Sequence, residues 1–163
     1  MKNEYWFYDT SSLLLNVDNL FSEGHPHFII SSITLNELEN IKSSNKKDSE
    51  IKASAQKVLR KLSENTDKYE VWVFQNHMLK PIEEKDLEIT PDTKILSCAI
   101  DYDKNVHPDE TYFITNDLAL ARIANLFFGE DSIYSIEEDE DDYCGYKTIT
   151  LNDSEMAEFY QNP

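Results

Sequence analysis

The stretch YWFYDTSSLLL, residues 5–15, decides the fold. Its first four residues form a short aromatic run of the kind that makes a buried strand. Asp9 ends that run, and Ser11, Ser12 and a leucine triplet open a helix. The same alternation continues outward. Phe28 to Ile30 is a second short strand beyond a loop around Gly24, His25 and Pro26, and Ile33 to Lys42 is helical by period. Asp48 to Leu62 is an amphipathic helix with Ile51, Ala55, Val58, Leu59 and Leu62 on one face. Val71 to Phe74 is the third strand, Asp92 to Tyr102 a helix entered through Thr90 and Pro91, and Tyr112 to Thr115 the fourth strand. A helix from Asp117 to Phe128 and a short strand at Ser132 to Ser135 follow. Strands alternating with helices imply right-handed crossovers, hence a three-layer α/β/α sandwich around a central, mainly parallel sheet.

After an unbroken acidic run from Glu137 to Asp142, Tyr146 to Leu151 alternates as a strand, and Ser154 to Tyr160 has the composition of a closing helix. The expected organisation is one domain over residues 1–136. Residues 137–163 then form an acidic loop and a strand-helix extension packed on that domain.

A chain of 163 residues with 40% apolar and 12% aromatic residues can bury a core without a disulfide or structural metal. Cys98 and Cys144 are its two cysteines; they lie far apart, and Cys98 falls in an apolar helical pattern, so a reduced intracellular protein is expected. Neither a signal peptide nor a run of 18 apolar residues is visible, which points to the cytoplasm and away from membranes. A formal net charge of −17 argues against broad adhesion to nucleic acid. The basic residues are nevertheless clustered: Lys42, Lys46, Lys47, Lys52, Lys57, Arg60 and Lys61 share one twenty-residue stretch, and local field can differ from net charge.

In a parallel α/β sheet, ligands bind beyond the carboxyl ends of the strands. Asp9 and Asp117 both stand at strand-to-helix junctions there. Turning the second helix by 100° per residue places Glu37 on the apolar arc between Ile33 and Ile41 and Glu39 away from it. Asp92 heads the stripe of Ile95, Leu96 and Ala99. Two carboxylates about 4 Å apart repel by roughly 4 kcal/mol at an effective dielectric near 20, so four in one pocket call for a cation or for protonation. Hard oxygen donors without His or Cys suit Mg²⁺ or Mn²⁺. Such an ion activates water and stabilises an in-line displacement, which makes phosphodiester hydrolysis the natural reaction. Taken singly, each acid also has a structural reading: Asp9, Asp92 and Asp117 as partners of helix N-termini, Glu37 with its stem bent to solvent.

Taken together, YDTSSLLL, ITLNELENIK, TPDTKILSCA and FITNDLALARIA resemble the four successive acidic motifs of PIN domains, in the right order. More narrowly they resemble the N-terminal PIN domain of PhoH-like ATPases, and the tail YCGYKTITLNDSEMAEFY is similar to the segment that follows it. The resemblance implies a metal-dependent ribonuclease, with endonucleolytic cleavage as the expected mode. Asp9, Glu37, Asp92 and Asp117 would be its metal-holding catalytic residues and Thr115 a hydroxyl helper, while Asn116 is given no role. The chain has three glycines and no phosphate-binding loop ending in Lys-Ser or Lys-Thr, so an ATPase would have to be a separate partner. RNA is the other expected partner, held by Lys42, Lys46, Lys47 and Lys52, and self-association is left open. The alternative is a non-catalytic module of the same fold. A haloacid-dehalogenase phosphatase is disfavoured because Ser11 stands where its second Asp belongs, and a receiver domain gives no role to Glu37. His25 and His27 read as solvated loop residues, Cys98 as core, and Trp6, Tyr8 and Phe113 as strand-spaced core aromatics.

Overall fold

β1 (Tyr5–Tyr8) is the middle of the sheet, as its aromatic composition requires: Phe7 and Tyr8 are fully buried, one on each face. A computed structural model describes residues 3–46 and 48–136. β2 (His27–Ser31), β3 (Tyr69–Trp72), β4 (Thr111–Ile114) and β5 (Ile133–Tyr134) complete a five-stranded sheet in the order β3-β2-β1-β4-β5, with every pairing parallel. The alternation of side chains along a strand divides the core in two. Phe7, Ile29 and Phe113 face Ile82 of α4 (Lys80–Glu84), Ile95, Leu96 and Ala99 of α5 (Pro91–Asn105) and Leu120 and Ala124 of α6 (Leu118–Ala124). Tyr8, Phe28, Ile30 and Ile114 face Leu13 of α1 (Thr10–Leu15), Leu38 of α2 (Ser32–Ser43), and Ala55, Val58 and Leu62 of α3 (Ser49–Glu64). Each fully buried Phe or Leu side chain contributes about 1.5–3 kcal/mol, so the two layers of helix lock the sheet from both sides. The architecture is the expected α/β/α sandwich, and its sheet is parallel throughout.

The helices begin where short polar side chains meet backbone N–H groups. Asp9, Ser31, Asp48 and Asp117 each accept from the first turn of α1, α2, α3 and α6, and Thr90 with Thr93 forms a reciprocal capping box on α5. Several expectations need correction. The last long helix stops at Ala124 and not at Phe128: Leu126 and Phe127 bond back to Ile123 and Ala124 in tight turns that carry Phe128 into the core. The third strand lies two residues earlier than its apolar run suggests, and Val73 beyond it is 58% exposed. Ile51, expected on the buried face of α3, is exposed. The short α4, with Pro81 in its first turn, was not anticipated.

His25 lies in the expected loop before β2 and His27 in β2 itself, and both are half-buried and hydrogen-bonded where solvated side chains were expected. His25 accepts the Tyr8 hydroxyl proton on Nε2 (2.7 Å) with Nδ1 against the Pro26 carbonyl (2.6 Å), and His27 begins β2 with its Nε2 2.7 Å from Glu70. Cys98 is core, with its thiol pushed up to about 11 by burial. Among the described residues no helix is long and apolar enough to cross a membrane. Lys47, the acidic run Glu137 to Asp142, Cys144 and the expected C-terminal strand and helix lie outside the described residues.

Candidate functional site

β1 has β2 on one side and β4 on the other, and the chain crosses from one half of the sheet to the other between β3 and β4. Connections leaving β1 and β4 therefore diverge to opposite faces and open a crevice at their carboxyl ends. Tyr8 pairs with Ile114, so the next residues on each strand, Asp9 and Thr115, stand side by side across it. Asp9 N–H closes the pairing on the Ile114 carbonyl at 3.0 Å.

Asp9 is 3% exposed and held at both oxygens. Oδ1 accepts from the Ser12 amide (2.9 Å), and Oδ2 accepts from the Thr115 hydroxyl (2.6 Å). Thr115 Oγ1 in turn accepts from the Asp117 amide (3.0 Å), and Asp117 Oδ1 accepts from Leu120 N–H (3.1 Å) as the cap of α6. Thr115 thus ties two of the expected acids together. Burial raises the Asp9 carboxyl above its ordinary value against the pull of these bonds, and the Asp117 charge raises it further.

Glu37 reaches the rim from α2 and is half-buried. Its Oε1 accepts the Thr10 hydroxyl at 2.5 Å. Asp92 sits in the first turn of α5 and stays open to solvent, which corrects the expectation of an inward-pointing side chain. Even so, the cleft walls strip part of its hydration. That desolvation comes first, and the negative charges of Asp117, Glu37 and Asp9 add to it, pushing the Asp92 carboxyl up to about 6. All four expected acids therefore share one electrostatic neighbourhood. The charges acting on Asp92 are all negative.

These carboxylates do not form a closed cage: among the described residues no three acidic, His or Cys side chains converge tightly enough to enclose a metal. Their donors are all oxygen, the donor type that a hard divalent cation takes when it also keeps waters in its shell. The like-charge crowding at Asp92 is the strain that a divalent cation would relieve.

Three further residues shape the rim. Thr10 binds Glu37. Ser12 lends its amide to Asp9 and brings its hydroxyl within 3.5 Å of Asn116 Oδ1. Asn116 clamps the chain after β5 with two bonds: its amide donates to the Ile136 carbonyl (2.8 Å) and its Oδ1 accepts from Ile136 N–H (2.7 Å). The adjacency of Thr10 and Asn116 to Asp9 and Asp117 is the one signal in the sequence that marks them; their partners lie too far along the chain to be read from spacing.

The lysine stretch is less basic than its composition suggests. Lys42 pairs with Glu39 at 3.2 Å and Lys57 with Asp18 at 2.6 Å, while Lys61 donates to the Val17 carbonyl at 3.4 Å. Lys46 is exposed at the turn between α2 and α3 and Lys52 is half-buried on α3; neither makes an ion pair among the described residues.

Residues 6–127 match a family model described as PIN domain. Among solved structures, a chain of VapBC2 from Rickettsia felis, bound to a DNA fragment from their promoter, is similar at 21% identity. The match covers 80% of this chain and 98% of that one, with a TM-score of 0.49. No curated protein matches the chain.

Proposed function

Since the chain belongs to the PIN domain family, we propose that it is a metal-dependent ribonuclease whose cleft uses Asp9, Glu37, Asp92 and Asp117 to hold Mg²⁺ or Mn²⁺. The observation that carries this reading is the crowding at Asp92, on which the negative charges of Asp117, Glu37 and Asp9 all act. Mutual repulsion of that kind, at the carboxyl ends of a parallel sheet, is an arrangement a structural role would not need.

When bound, a divalent ion supplies a more acidic water and stabilises charge on the oxygens of an in-line displacement. The chain's own residues prepare the place for it. Thr115 and the Ser12 amide hold Asp9 in one orientation, and the cap on Leu120 does the same for Asp117. Asp92 stands solvent-open in the first turn of α5, where desolvation by the cleft walls and then the charges of Asp117, Glu37 and Asp9 raise its carboxyl to about 6. The junctions after β1 and β4 carry Asp9 and Asp117, and α2 and α5 bring Glu37 and Asp92 to the rim, where a phosphate would arrive from solvent.

Cleavage within an RNA strand, with Lys46 and Lys52 guiding its phosphates, completes the reading. The form of the motifs favours kinship with the PIN domain of PhoH-like ATPases and a separate ATPase partner. The four intact acids speak for catalysis over a purely interacting module.

The test is cleavage of mixed RNA with Mg²⁺, with Mn²⁺ and with chelator, using wild type and Asp92→Asn. Metal-dependent cleavage that falls about 100-fold or more in Asp92→Asn is expected, since loss of a ligand exceeds the 10- to 100-fold typical of its supporting residues. Cleavage that persists in chelator, or that Asp92→Asn leaves intact, refutes it.

A further inference from the structure

We propose that Thr10 is a positioning residue that sets the reach of Glu37 toward the metal. The inference rests on the ribonuclease reading and assigns a task in the same cleft to a side chain outside the four acids.

Thr10 is the first residue of α1, directly after Asp9. Its backbone is fixed from both sides. Asp9 caps the helix through Ser12 N–H, and the Asp9 carbonyl accepts from Leu13 N–H at 3.1 Å. A β-branched side chain on a fixed backbone has few χ1 choices, so the hydroxyl is aimed. It lies 2.5 Å from Glu37 Oε1 and 3.0 Å from the hydroxyl of buried Thr34, one turn earlier on the same helix. A hydroxyl has one proton. The shorter contact, to a charged acceptor and within the range of O–H to carboxylate bonds, is the one that takes it. Thr34 Oγ1 is the second acceptor within the Thr10 hydroxyl's reach, on the same helix as Glu37.

Glu37 has a long, freely rotating side chain on a half-buried stretch of α2, and unrestrained it would divide its time among rotamers. The Thr10 bond holds Oε1 and leaves Oε2 with no hydrogen-bond partner among the described residues. Asp9 is treated in the same way by Thr115 from the other side of the cleft. Because positions 9 and 10 are joined by one peptide bond, the oxygens of Asp9 and Glu37 are referred to a single rigid point. Two acids 28 positions apart are thereby held in register by one turn of backbone.

The experiment is a Mn²⁺ titration followed by thermal shift, on wild type, Thr10→Val, Thr10→Ser, Glu37→Gln and the Thr10→Val, Glu37→Gln double variant, with RNA cleavage measured alongside. Thr10→Val is expected to raise the Mn²⁺ concentration for half-maximal stabilisation about 10- to 100-fold, the usual cost of losing a group that orients a ligand. Thr10→Ser should restore it to within about threefold, because the donor returns. In the Glu37→Gln background, Thr10→Val should change the midpoint by less than about twofold, since the side chain it positions no longer carries a charge for the metal. Should Thr10→Val lose the fold without metal, Thr10→Ala, well accepted in a helix, carries the same test.

A wild-type midpoint in Thr10→Val, an unrestored Thr10→Ser, or a full additional loss in the double variant overturns the inference while metal-dependent cleavage by wild type still stands. A wild type that neither binds Mn²⁺ nor cleaves RNA overturns the ribonuclease reading and the inference with it.

Discussion

The two ends of the sheet carry similar side chains and treat them in opposite ways. At the amino ends of the strands, Glu70 takes two donors on one oxygen: His27 Nε2 at 2.7 Å and the Tyr102 hydroxyl at 2.9 Å. Tyr5 stacks on His107 with ring centres 3.6 Å apart and planes within 6°, and sets its edge against His27. Each polar group there has a neighbour of complementary character. At the carboxyl ends, Asp92 meets Asp117, Glu37 and Asp9. Folding alone would favour the first pattern at both ends, because a buried or half-buried charge is stable when paired. The uncompensated end is where the fold gives up stability, and proteins do that where they bind something.

The sharpest way to break this comparison is to damage the paired end. Glu70→Ala leaves the hydroxyl of fully buried Tyr102 without its acceptor. The expected loss is about 1–2 kcal/mol of stability, seen as a fall in melting temperature of roughly 3–8 °C, with RNA cleavage per folded molecule unchanged. A large loss of cleavage at constant stability would show that the two ends are not independent.

Acid should act in the opposite sense at the crowded end. The folded Asp92 carboxyl lies at about 6, above its ordinary 3.8, so the folded protein binds more protons than the unfolded chain between those values. Its contribution to stability is fully present below about 3.8 and is lost as pH rises through about 6. A shift of about two units corresponds to roughly 3 kcal/mol, and solvent screening at this open side chain reduces that to about 1 kcal/mol. In chelator, wild type should therefore gain on Asp92→Asn by about this amount between pH 7 and pH 4 when melting is compared. Curves that stay parallel throughout would remove the like-charge crowding from the account.

A smaller effect concerns how RNA reaches an acidic rim. Lys46→Glu with Lys52→Glu should weaken RNA binding about threefold at low salt and flatten its salt dependence by about one phosphate contact per lysine. Affinity unchanged at low salt would move the RNA path to another surface.

How much of this was legible in the sequence follows from how local each cause is. β1 was readable because four apolar residues stop at Asp9, and Asp117 because it follows a second such run. Glu37 was readable from helical phase, although Thr34 and Leu38, its neighbours, make the deeper contacts. Edge and end effects were not readable. β3 has one neighbour, so its apolar run continues past the last paired residue into exposed Val73. Phe127 and Phe128 keep a helical period but are packed by turns. The hydroxyl of Thr10 escaped notice because it meets Glu37 across 27 positions, and Thr115, which meets Asp9 across 106, was named through the family resemblance and not through its partner. Such pairings depend on the order of strands in the sheet, which composition does not encode.

Asn116 mimics one rung of a strand ladder, and a ladder rung fixes a point of origin. Ile136 is pinned through Asn116, one residue from Asp117, so the chain beyond β5 is tied to the junction that carries that acid. The tie is made by one side chain and not by a row of backbone pairs, so a single substitution can unfasten it without removing a strand.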